Sequence, residues 1–193
     1  MPYLLNSGDR ARILKTGQTT SQVSGDDGDL QEGFARNYTL LTTGQYSGTT
    51  EILLNSKIEN HTNNCVLDNN TGLIWSRTLS GPNLGQLPYT TTGSGGTQEG
   101  IYPYKIYANL ASLSGYTDWR IPNINELLSI MNWQNAVPDS NYFNIQNDSF
   151  VWSSTNAPQN LTTRAQVIQW GTSYSHIINY LKTAIQFVLL VRG

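Results

Sequence analysis

Charged side chains are scarce in this chain of 193 residues, because Asp, Glu, Lys and Arg make up only 12% of it. Ordinary globular domains contain about 25% of these residues. The formal net charge is -2, and no stretch of the sequence is rich in Lys or Arg. Such a chain lacks the electrostatic footprint of a nucleic-acid binder or a membrane-surface binder. We therefore expect no nucleic acid among its partners and no insertion into a membrane.

Cysteine and long apolar runs are also scarce. The one cysteine, Cys65, cannot form an internal disulfide, and we interpret it as a small, half-buried residue before a strand rather than a catalytic thiol. The longest apolar run covers residues 187–191, whereas a membrane-spanning helix needs about 20 apolar residues. Residues 1–10 have no basic start and no long apolar core, so we expect no secretory signal peptide.

Uncharged polar residues and aromatic residues are abundant instead. A surface of Ser, Thr, Asn, Gln and Gly is common in secreted proteins and in proteins of assembled particles. Five Trp, 11 Tyr and four Phe residues supply large side chains for a core. The length suits one domain, or one domain with a small extra piece.

The start of a helix is the clearest local signal in the sequence. Pro122 ends a short aromatic-apolar segment, and Asn123 with Glu126 three residues later has the pattern of an N-cap and a capping box. Apolar residues follow at the spacing of one buried helical face. They are Ile124, Leu127, Leu128 and Met131. We predict that this helix ends near residues 132–133.

The remainder of the second region predicts another helix and several strands. The earlier helix is expected to bury Ile106, Leu110 and Leu113 and to end at Gly115. A flexible loop is expected over residues 79–100. Strands are expected at 73–75, 150–155 and 165–170, followed by a hairpin of 176–181 and 184–191. This order predicts an α+β architecture with antiparallel strands.

Residues 1–60 differ from the rest of the chain, since they are rich in Gly, Thr and Ser and contain no Trp. Short candidate strands at 11–14, 34–41 and 50–54 alternate with turn signals. We interpret residues 1–60 as a β-rich N-terminal attachment segment and residues 61–193 as a separate domain. The run Asp26–Asp29 does not have the spacing of an EF-hand loop, and we interpret it as an acidic turn.

Several blocks of the second region resemble, in their order, the signature of a known family. The blocks are Asp68–Trp75, Asp118–Asn123, Glu126–Leu128, Val151–Thr155 and Val191–Gly193. Together, over residues ~63–193, they are similar to the C-terminal domain of the Legionella collagen-like adhesin, also catalogued as domain of unknown function 1566. The resemblance implies a C-type-lectin-like fold with two helices and an antiparallel sheet whose ends come together. It also implies binding rather than catalysis, because the named family member is an adhesin that recognises sulfated polysaccharides and assembles as a trimer.

We therefore expect a non-enzymatic recognition or adhesion module that binds a cell-surface glycan or a protein receptor. The expected location is a virion, on a phage tail or fibre, or another extracellular surface. We expect a homotrimer that contacts other virion or surface components through residues 1–60. The alternative is a structural, decoration or assembly component of a virion with no ligand of its own.

The candidate ligand-binding residues are aromatic residues outside the signature blocks. Trp133 follows the predicted helix end, and Trp170, Tyr174 and His176 belong to an aromatic-rich loop over residues 170–176. Sugars stack on exposed aromatic faces, while amides and hydroxyls hold their OH groups. Aromatic residues are also enriched at subunit interfaces, so both interpretations stay open.

Residues of the signature blocks are interpreted as structural. We expect the Trp residues to pack in the core or the sheet, and Arg120 to bind backbone carbonyls or a carboxylate such as Asp118 or Glu126. The full set is Trp75, Asp118, Trp119, Arg120, Glu126, Trp152 and Arg192.

No catalytic residue is predicted. Ser153–Thr155 has no recognisable base, because neither His61 nor His176 lies in a motif, and no nucleophile elbow occurs. No residues have the spacing of a zinc site, and we expect no cofactor. Calcium would fit only the Asn- and Asp-rich loop Asp139–Asp148.

Overall fold

The computed structural model describes residues 15–31, 33–54, 57–79, 87–89, 100–146, 148–171 and 176–193. Within these ranges the protein is mostly antiparallel β-structure with a few short helices. The helices are α1 (Asp27–Leu30), α2 (Ile101–Leu110) and α3 (Ile124–Ser129). The strands are β1 (Tyr38–Leu41), β2 (Thr49–Leu54), β3 (Lys57–Thr62), β4 (Cys65–Asp68), β5 (Ile74–Ser76), β6 (Leu87–Pro88), β7 (Met131–Asn132), β8 (Val137–Pro138), β9 (Ser149–Asn156), β10 (Arg164–Trp170), β11 (His176–Leu181), β12 (Ile185–Gln186) and β13 (Val191–Arg192).

Two sheets organise the molecule. One has four strands in the order β1-β4-β5-β13, and the other has three strands in the order β11-β10-β9. The pairs β12-β6, β2-β3 and β7-β8 form two-stranded ribbons. Neighbouring strands are antiparallel in all of these pairs. The predicted combination of helices with antiparallel strands is therefore confirmed.

The strands that precede residue 60 pack with those that follow it. Tyr38 in β1 lies opposite Asp68 in β4, and the ribbon of β2 and β3 runs across residue 60. Ile52 in β2 is completely buried in the same core cluster as Tyr104 of α2. The boundary predicted at residue 60 therefore falls inside a hairpin, while the attachment role of residues 1–60 stays a prediction. The strand predicted over 11–14 lies outside the described residues.

The β9–β10 pair separates two core clusters. Side chains of successive strand residues point to opposite faces of a sheet. Trp152 and Val167 therefore belong to the cluster under α2, whereas Val151 and Ile168 belong to the cluster under α3. Because both faces are covered, most of β10 is buried, and this strand is more buried than the half-buried strand that the sequence predicts.

Helix α3 begins where the sequence predicts. The Asn123 side chain accepts a hydrogen bond from the Glu126 backbone N–H at 3.0 Å, and the Glu126 carboxylate accepts one from the Asn123 N–H at 2.8 Å. This reciprocal capping box satisfies two of the free N–H groups at the helix start. Leu127 is completely buried against the sheet. The helix ends at Ser129, three residues before the predicted end, because Met131 enters β7.

Helix α2 buries a different face from the predicted one. Ile106 is 49% exposed and Leu110 is 74% exposed, whereas Ile101 and Tyr104 are completely buried. The helix begins at Ile101 and ends at Leu110, and Ser112 then has a φ of +52°. This left-handed residue breaks the helix, so the buried Leu113 no longer continues the face of Ile106 and Leu110. The predicted buried face is therefore wrong.

The predicted C-terminal hairpin is also wrong. Strand β11 pairs with β10, and the chain turns at Lys182, but β12 then pairs with β6. Phe187 exchanges backbone hydrogen bonds with Phe150 and Trp152 of β9, and β13 pairs with β5. The segment therefore closes the molecule across three separate strands. Residues 80–86 and 90–99, most of the predicted 79–100 loop, lie outside the described part of the chain.

The charged residues of the signature blocks hold the last strand in place. Arg120 forms two hydrogen bonds with the Glu126 carboxylate at 2.8 and 2.7 Å. Arg192 forms two with the Asp118 carboxylate at 2.7 and 3.0 Å. Arg120 and Val191 also exchange backbone hydrogen bonds at 2.8 and 3.0 Å. These contacts fix β13 beside the start of α3.

The three Trp residues of those blocks are in the core. Trp75, Trp119 and Trp152 are at most 1% exposed. The indole N–H of Trp119 donates to the Leu113 carbonyl, and that of Trp152 donates to the Leu87 carbonyl, both at 2.9 Å.

In the ranges that the structure describes, the helices are too short or too polar to span a membrane.

Candidate functional site

Trp133 is the exposed member of the five Trp residues. It is 47% exposed, whereas the other four are at most 1% exposed. It follows β7 directly, at the turn that leads into β8. Its backbone N–H donates to the Thr16 carbonyl at 2.9 Å. The ring is therefore held at the surface by a backbone contact with the N-terminal part of the chain.

A cavity with several polar side chains in its wall, which we call the polar cavity, lies on one side of Trp133. Its volume is about 310 Å³. Two cationic side chains and three neutral polar ones contribute to its wall, together with Leu128 and Trp133. The lining residues are Lys15, Thr16, Arg36, Asn125, Leu128, Ser129 and Trp133. Hydroxyl, amide and cationic groups of this kind can donate hydrogen bonds to a polar ligand.

A smaller apolar cavity shares Leu128 and Trp133 with the polar one. Its volume is about 220 Å³, and its wall is mainly apolar. The lining residues are Leu128, Met131, Trp133, Ile168, His176 and Ile177. We call the two adjoining cavities together the Trp133 groove. Cavities of a few hundred Å³ are the size at which small-molecule sites begin.

Arg36 joins the three segments around the polar cavity. Its guanidinium donates to the Thr16 carbonyl at 3.0 Å, to the Ser129 carbonyl at 3.3 Å, and to the Met131 carbonyl. Ser129 ends α3, so the cation also neutralises carbonyls that the helix leaves without partners. Arg36 therefore positions the N-terminal segment, α3 and β7 relative to one another.

A second contact holds the N-terminal segment beside the groove. The backbone N–H groups of Thr19 and Thr20 donate to the Gln134 side-chain oxygen at 3.0 and 3.2 Å. Gln134 follows Trp133 directly. The segment from residue 15 to residue 20 is thus hydrogen-bonded to the Trp133 backbone through Thr16 and to the Gln134 side chain through Thr19 and Thr20.

The structure brings together two of the four predicted ligand-binding residues. Trp133 and His176 line the same apolar cavity, although the sequence places them in separate segments. Trp170 is completely buried at the end of β10, because its face of the strand packs in the cluster under α3. The expectation that the Trp170 ring is exposed is therefore wrong. Tyr174 lies outside the described residues.

Sequence reasoning missed Lys15, Thr16 and Arg36, which form the polar wall. No motif surrounds them, and they are about a hundred positions from Trp133 along the chain. Leu128 was identified, but only as a core residue of α3. The local sequence pattern does not predict that segments so far apart along the chain meet in the fold.

A buried polar cluster under α2 is the other group of titratable side chains. Glu59, His61 and Tyr104 are each at most 2% exposed. The His61 ring contacts the Thr62 carbonyl through Nδ1 at 3.0 Å and the Thr78 hydroxyl through Nε2 at 3.4 Å. Burial lowers the pKa of His61, so its imidazole stays neutral. These contacts give the cluster a packing role beneath the helix.

Other residues weighed for chemistry have structural partners. Ser153 is buried and donates to the Gln166 carbonyl at 2.8 Å. Cys65 is buried in β4, and burial raises the pKa of its thiol to about 11. Asp26 accepts hydrogen bonds from the backbone of Gln22 and Val23, which lower its pKa to about 2. The run Asp26–Asp29 is therefore a helix cap, in agreement with the predicted acidic turn.

Metal-ligand geometry was sought in the same way. Among the residues that the structure describes, no group of three or more His, Cys, Asp or Glu side chains could hold a metal ion. In the loop considered for calcium, the Asp139 carboxylate accepts the Asn141 backbone N–H at 2.9 Å.

Comparison with known proteins places the second region in a family. The model of the Lcl C-terminal domain matches residues 64–192, from the start of β4 to the end of β13. Trp133 and His176 lie inside the match, whereas Lys15, Thr16 and Arg36 precede it. Curated proteins give no match. The match covers well over half of the chain and confirms the resemblance found in the sequence, so this chain belongs to the family of Lcl C-terminal domains.

Proposed function

We propose that this protein is a non-enzymatic recognition module of the adhesin type that binds a surface glycan in the Trp133 groove. The observation that carries the proposal is the Trp133 ring itself. It is exposed where the other Trp residues are buried, and it lies between a polar cavity and an apolar one. Family membership supports an adhesin-related role.

The chemistry of the groove suits a sugar. A pyranose presents C–H groups on one face, which pack on an aromatic ring, and hydroxyl groups at its edge. The Asn125 amide can exchange hydrogen bonds with those hydroxyls. The Ser129 and Thr16 hydroxyls, which donate to the Glu126 carbonyl and the Asp27 carboxylate, can accept from them. The apolar cavity beside His176 and Ile177 suits a methyl or acetyl substituent. Polar and apolar walls on either side of one aromatic ring match these two kinds of group.

We further propose a C-type-lectin-like relationship for the fold. Two helices, α2 and α3, pack on antiparallel strands. Strands β4 and β13 are both neighbours of β5, so the two ends of the family-matched region lie in one sheet, on either side of β5. This closeness of the ends supports the proposal.

The proposed setting is a phage tail or fibre, or another extracellular surface, where three copies assemble. Residues 1–60 would contact other components of the particle. The low share of charged residues, 12%, supports this setting, since surfaces of uncharged polar residues are common in assembled particles.

A glycan array tests the proposal. The wild-type protein is expected to bind a defined class of glycans, and Trp133→Ala is expected to reduce that binding at least about fivefold, because stacking of a base-sized ring on an aromatic side chain contributes about 1–3 kcal/mol. Leu110→Ala is the matched control, since it removes an exposed apolar side chain on α2. Equal binding by wild type and Trp133→Ala would contradict the proposal.

A purely structural role in a particle is the second candidate. One observation favours it: Tyr102, Ile106 and Leu110 form an exposed apolar stripe, four residues apart, on α2. Such stripes are typical of helix faces that meet a partner. This candidate predicts that Leu110→Ala lowers the assembled mass in solution, while the wild type binds nothing on the array. An unchanged mass together with glycan binding would exclude it.

A further inference from the structure

The Trp133 groove is built from two parts of the chain with different relationships to the family. The family match begins at residue 64. It includes Trp133 and all the other residues that line the apolar cavity. Lys15, Thr16 and Arg36, which line the polar cavity, precede the match. These three residues of the polar wall therefore lie outside the family-matched region.

The added wall is attached by specific contacts. Thr16 accepts hydrogen bonds from the Trp133 backbone at 2.9 Å and from the Arg36 guanidinium at 3.0 Å. Gly17 has a φ of +90°, and a Cβ at this position would lie only 2.7 Å from the Asn132 side-chain oxygen. Only glycine allows so close an approach of the segment to β7. Lys15 and Thr16 are consequently held at a fixed place in the groove.

The charge of the wall differs from that of the protein as a whole. Lys15 and Arg36 line the polar cavity and no carboxylate does, although the Asp27 carboxylate accepts a hydrogen bond from the Thr16 hydroxyl of the same wall and the net charge of the chain is -2. Arg36 uses its N–H groups on three backbone carbonyls. Lys15 helps to attach the segment only through its backbone N–H, which donates to the Phe34 carbonyl at 2.9 Å.

We infer that Lys15 and Thr16 are specificity-determining residues of the Trp133 groove and select among glycans that stack on Trp133. This inference rests on the proposed function. Stacking on Trp133 supplies binding common to many sugars, because any sugar offers a C–H face. Lys15 distinguishes acidic sugars from their neutral counterparts. The Thr16 hydroxyl donates to the Asp27 carboxylate and accepts from the Gln18 backbone N–H, so it adds one remaining acceptor site for a sugar hydroxyl.

The test compares full-length variants on an array that pairs each carboxylated glycan with its neutral counterpart. Lys15→Ala is expected to weaken binding to the carboxylated member about threefold to fivefold, as for a solvent-exposed ion pair, and to leave the neutral member unchanged. Lys15→Arg is expected to keep the preference. Lys182→Ala, a lysine remote from the groove that contacts the Tyr89 ring, is the matched control. Thermal unfolding of each variant verifies that the fold is intact.

Gln134→Ala adds an independent readout, because Gln134 binds the segment without lining either cavity. It is expected to reduce the same preference by releasing Thr19 and Thr20. An unchanged ranking of glycans in both Lys15→Ala and Gln134→Ala would overturn the inference and leave the proposed function standing. If Lys15→Ala keeps its fold but loses binding to acidic and neutral glycans equally, that result would also overturn the inference. Absence of any binding by the wild type would overturn both.

Discussion

At the scale of single residues, the exposed fraction of the side chain distinguishes Trp133 from the other four Trp residues. Four Trp residues fill the core, where their large apolar surfaces stabilise the fold. The Trp133 ring lies partly in solvent and therefore contributes less of this stabilisation. The exposed Trp beside two cavities is the basis of the proposed binding site, whereas the buried Trp residues have a packing role.

His61 predicts a pH dependence of stability. Burial lowers its folded-state pKa below the ordinary value of 6.5. As the pH falls through 6.5, the unfolded chain takes up a proton that the folded chain does not. The unfolding free energy should therefore decrease on acidification, with a slope of up to about 1.4 kcal/mol per pH unit.

Urea unfolding between pH 7.5 and pH 5.5 measures this slope. His61→Gln is expected to flatten it, because glutamine takes up no proton in either state. A slope that survives His61→Gln would show that another group titrates.

At the scale of elements, α3 shows how one short helix fixes both the core and the groove. Its first turn is capped by Asn123 and Glu126, and its buried side packs in the core through Leu127. Its exposed side contributes Asn125, Leu128 and Ser129 to the polar cavity. A helix of six residues is too short to persist alone, so the caps and the packing together keep the groove wall in place.

The cap of α3 predicts two different losses of stability. Asn123→Ala is expected to lower the unfolding free energy by about 1 kcal/mol, because it removes the N-cap. Burial alone would raise the pKa of Glu126, but the hydrogen bonds from Arg120 and the Asn123 N–H outweigh it and lower that pKa. Glu126→Gln keeps a capping side chain and loses the charge, so about 0.5 kcal/mol is expected at pH 7.

The pH dependence of the second loss provides its test. A carboxylate with a lowered folded-state pKa stabilises the fold above its ordinary pKa of 4.5, and this contribution disappears as the pH falls through the folded-state value. The difference in unfolding free energy between wild type and Glu126→Gln should therefore shrink below pH 4.5. A constant difference from pH 7 to pH 3 would assign the loss to shape rather than charge.

Elements set by neighbouring residues could be predicted from the sequence, and elements set by distant partners could not. The capping box of α3 is contained in four residues, so Asn123 and Glu126 are sufficient to predict where the helix begins. The buried face of α2 depends on where Ser112 turns left-handed and on what Tyr104 meets in the fold. The last strands depend on pairing with β5 and β6 far along the chain. A hairpin was predicted there because the turn at Lys182 is local and the partners are not.

At the scale of the whole molecule, the residues before the family match are part of the packed structure. Strand β1 completes the four-stranded sheet by pairing with β4, and Ile52 is buried under α2. Residues 15–36 add the polar wall of the groove. The N-terminal region thus contributes to the core, the sheet and the candidate site at once.

A truncated fragment tests this integration. A fragment of residues 61–193 loses β1, β2 and most of β3, and it exposes the apolar surface that Ile52 and Tyr38 cover. Removing a buried Ile side chain alone costs about 2–5 kcal/mol, which is comparable with the total stability of many domains. The fragment is expected to show no cooperative thermal unfolding by circular dichroism. A cooperative transition near that of the full chain would establish residues 61–193 as an independent domain.

The candidate site shows the same limit of sequence reasoning at this scale. Trp133 and His176 were identified because exposed aromatic residues suit glycans, but their meeting in one cavity depends on α3 lying over β10. Trp170 was misjudged because the strand that carries it is covered on both faces. Lys15 and Arg36 reach the groove through contacts with Thr16 and Phe34 that leave no mark in the local sequence.

The most direct measurement of the central claim is an NMR titration of the Trp indole N–H signals with a glycan that the array identifies. Five signals are expected from the five Trp residues, and substitution assigns that of Trp133. The account predicts that the Trp133 signal shifts on binding while the signals of Trp119 and Trp152, which are buried in the other core cluster, stay in place. A glycan that binds without moving the Trp133 signal would contradict the account.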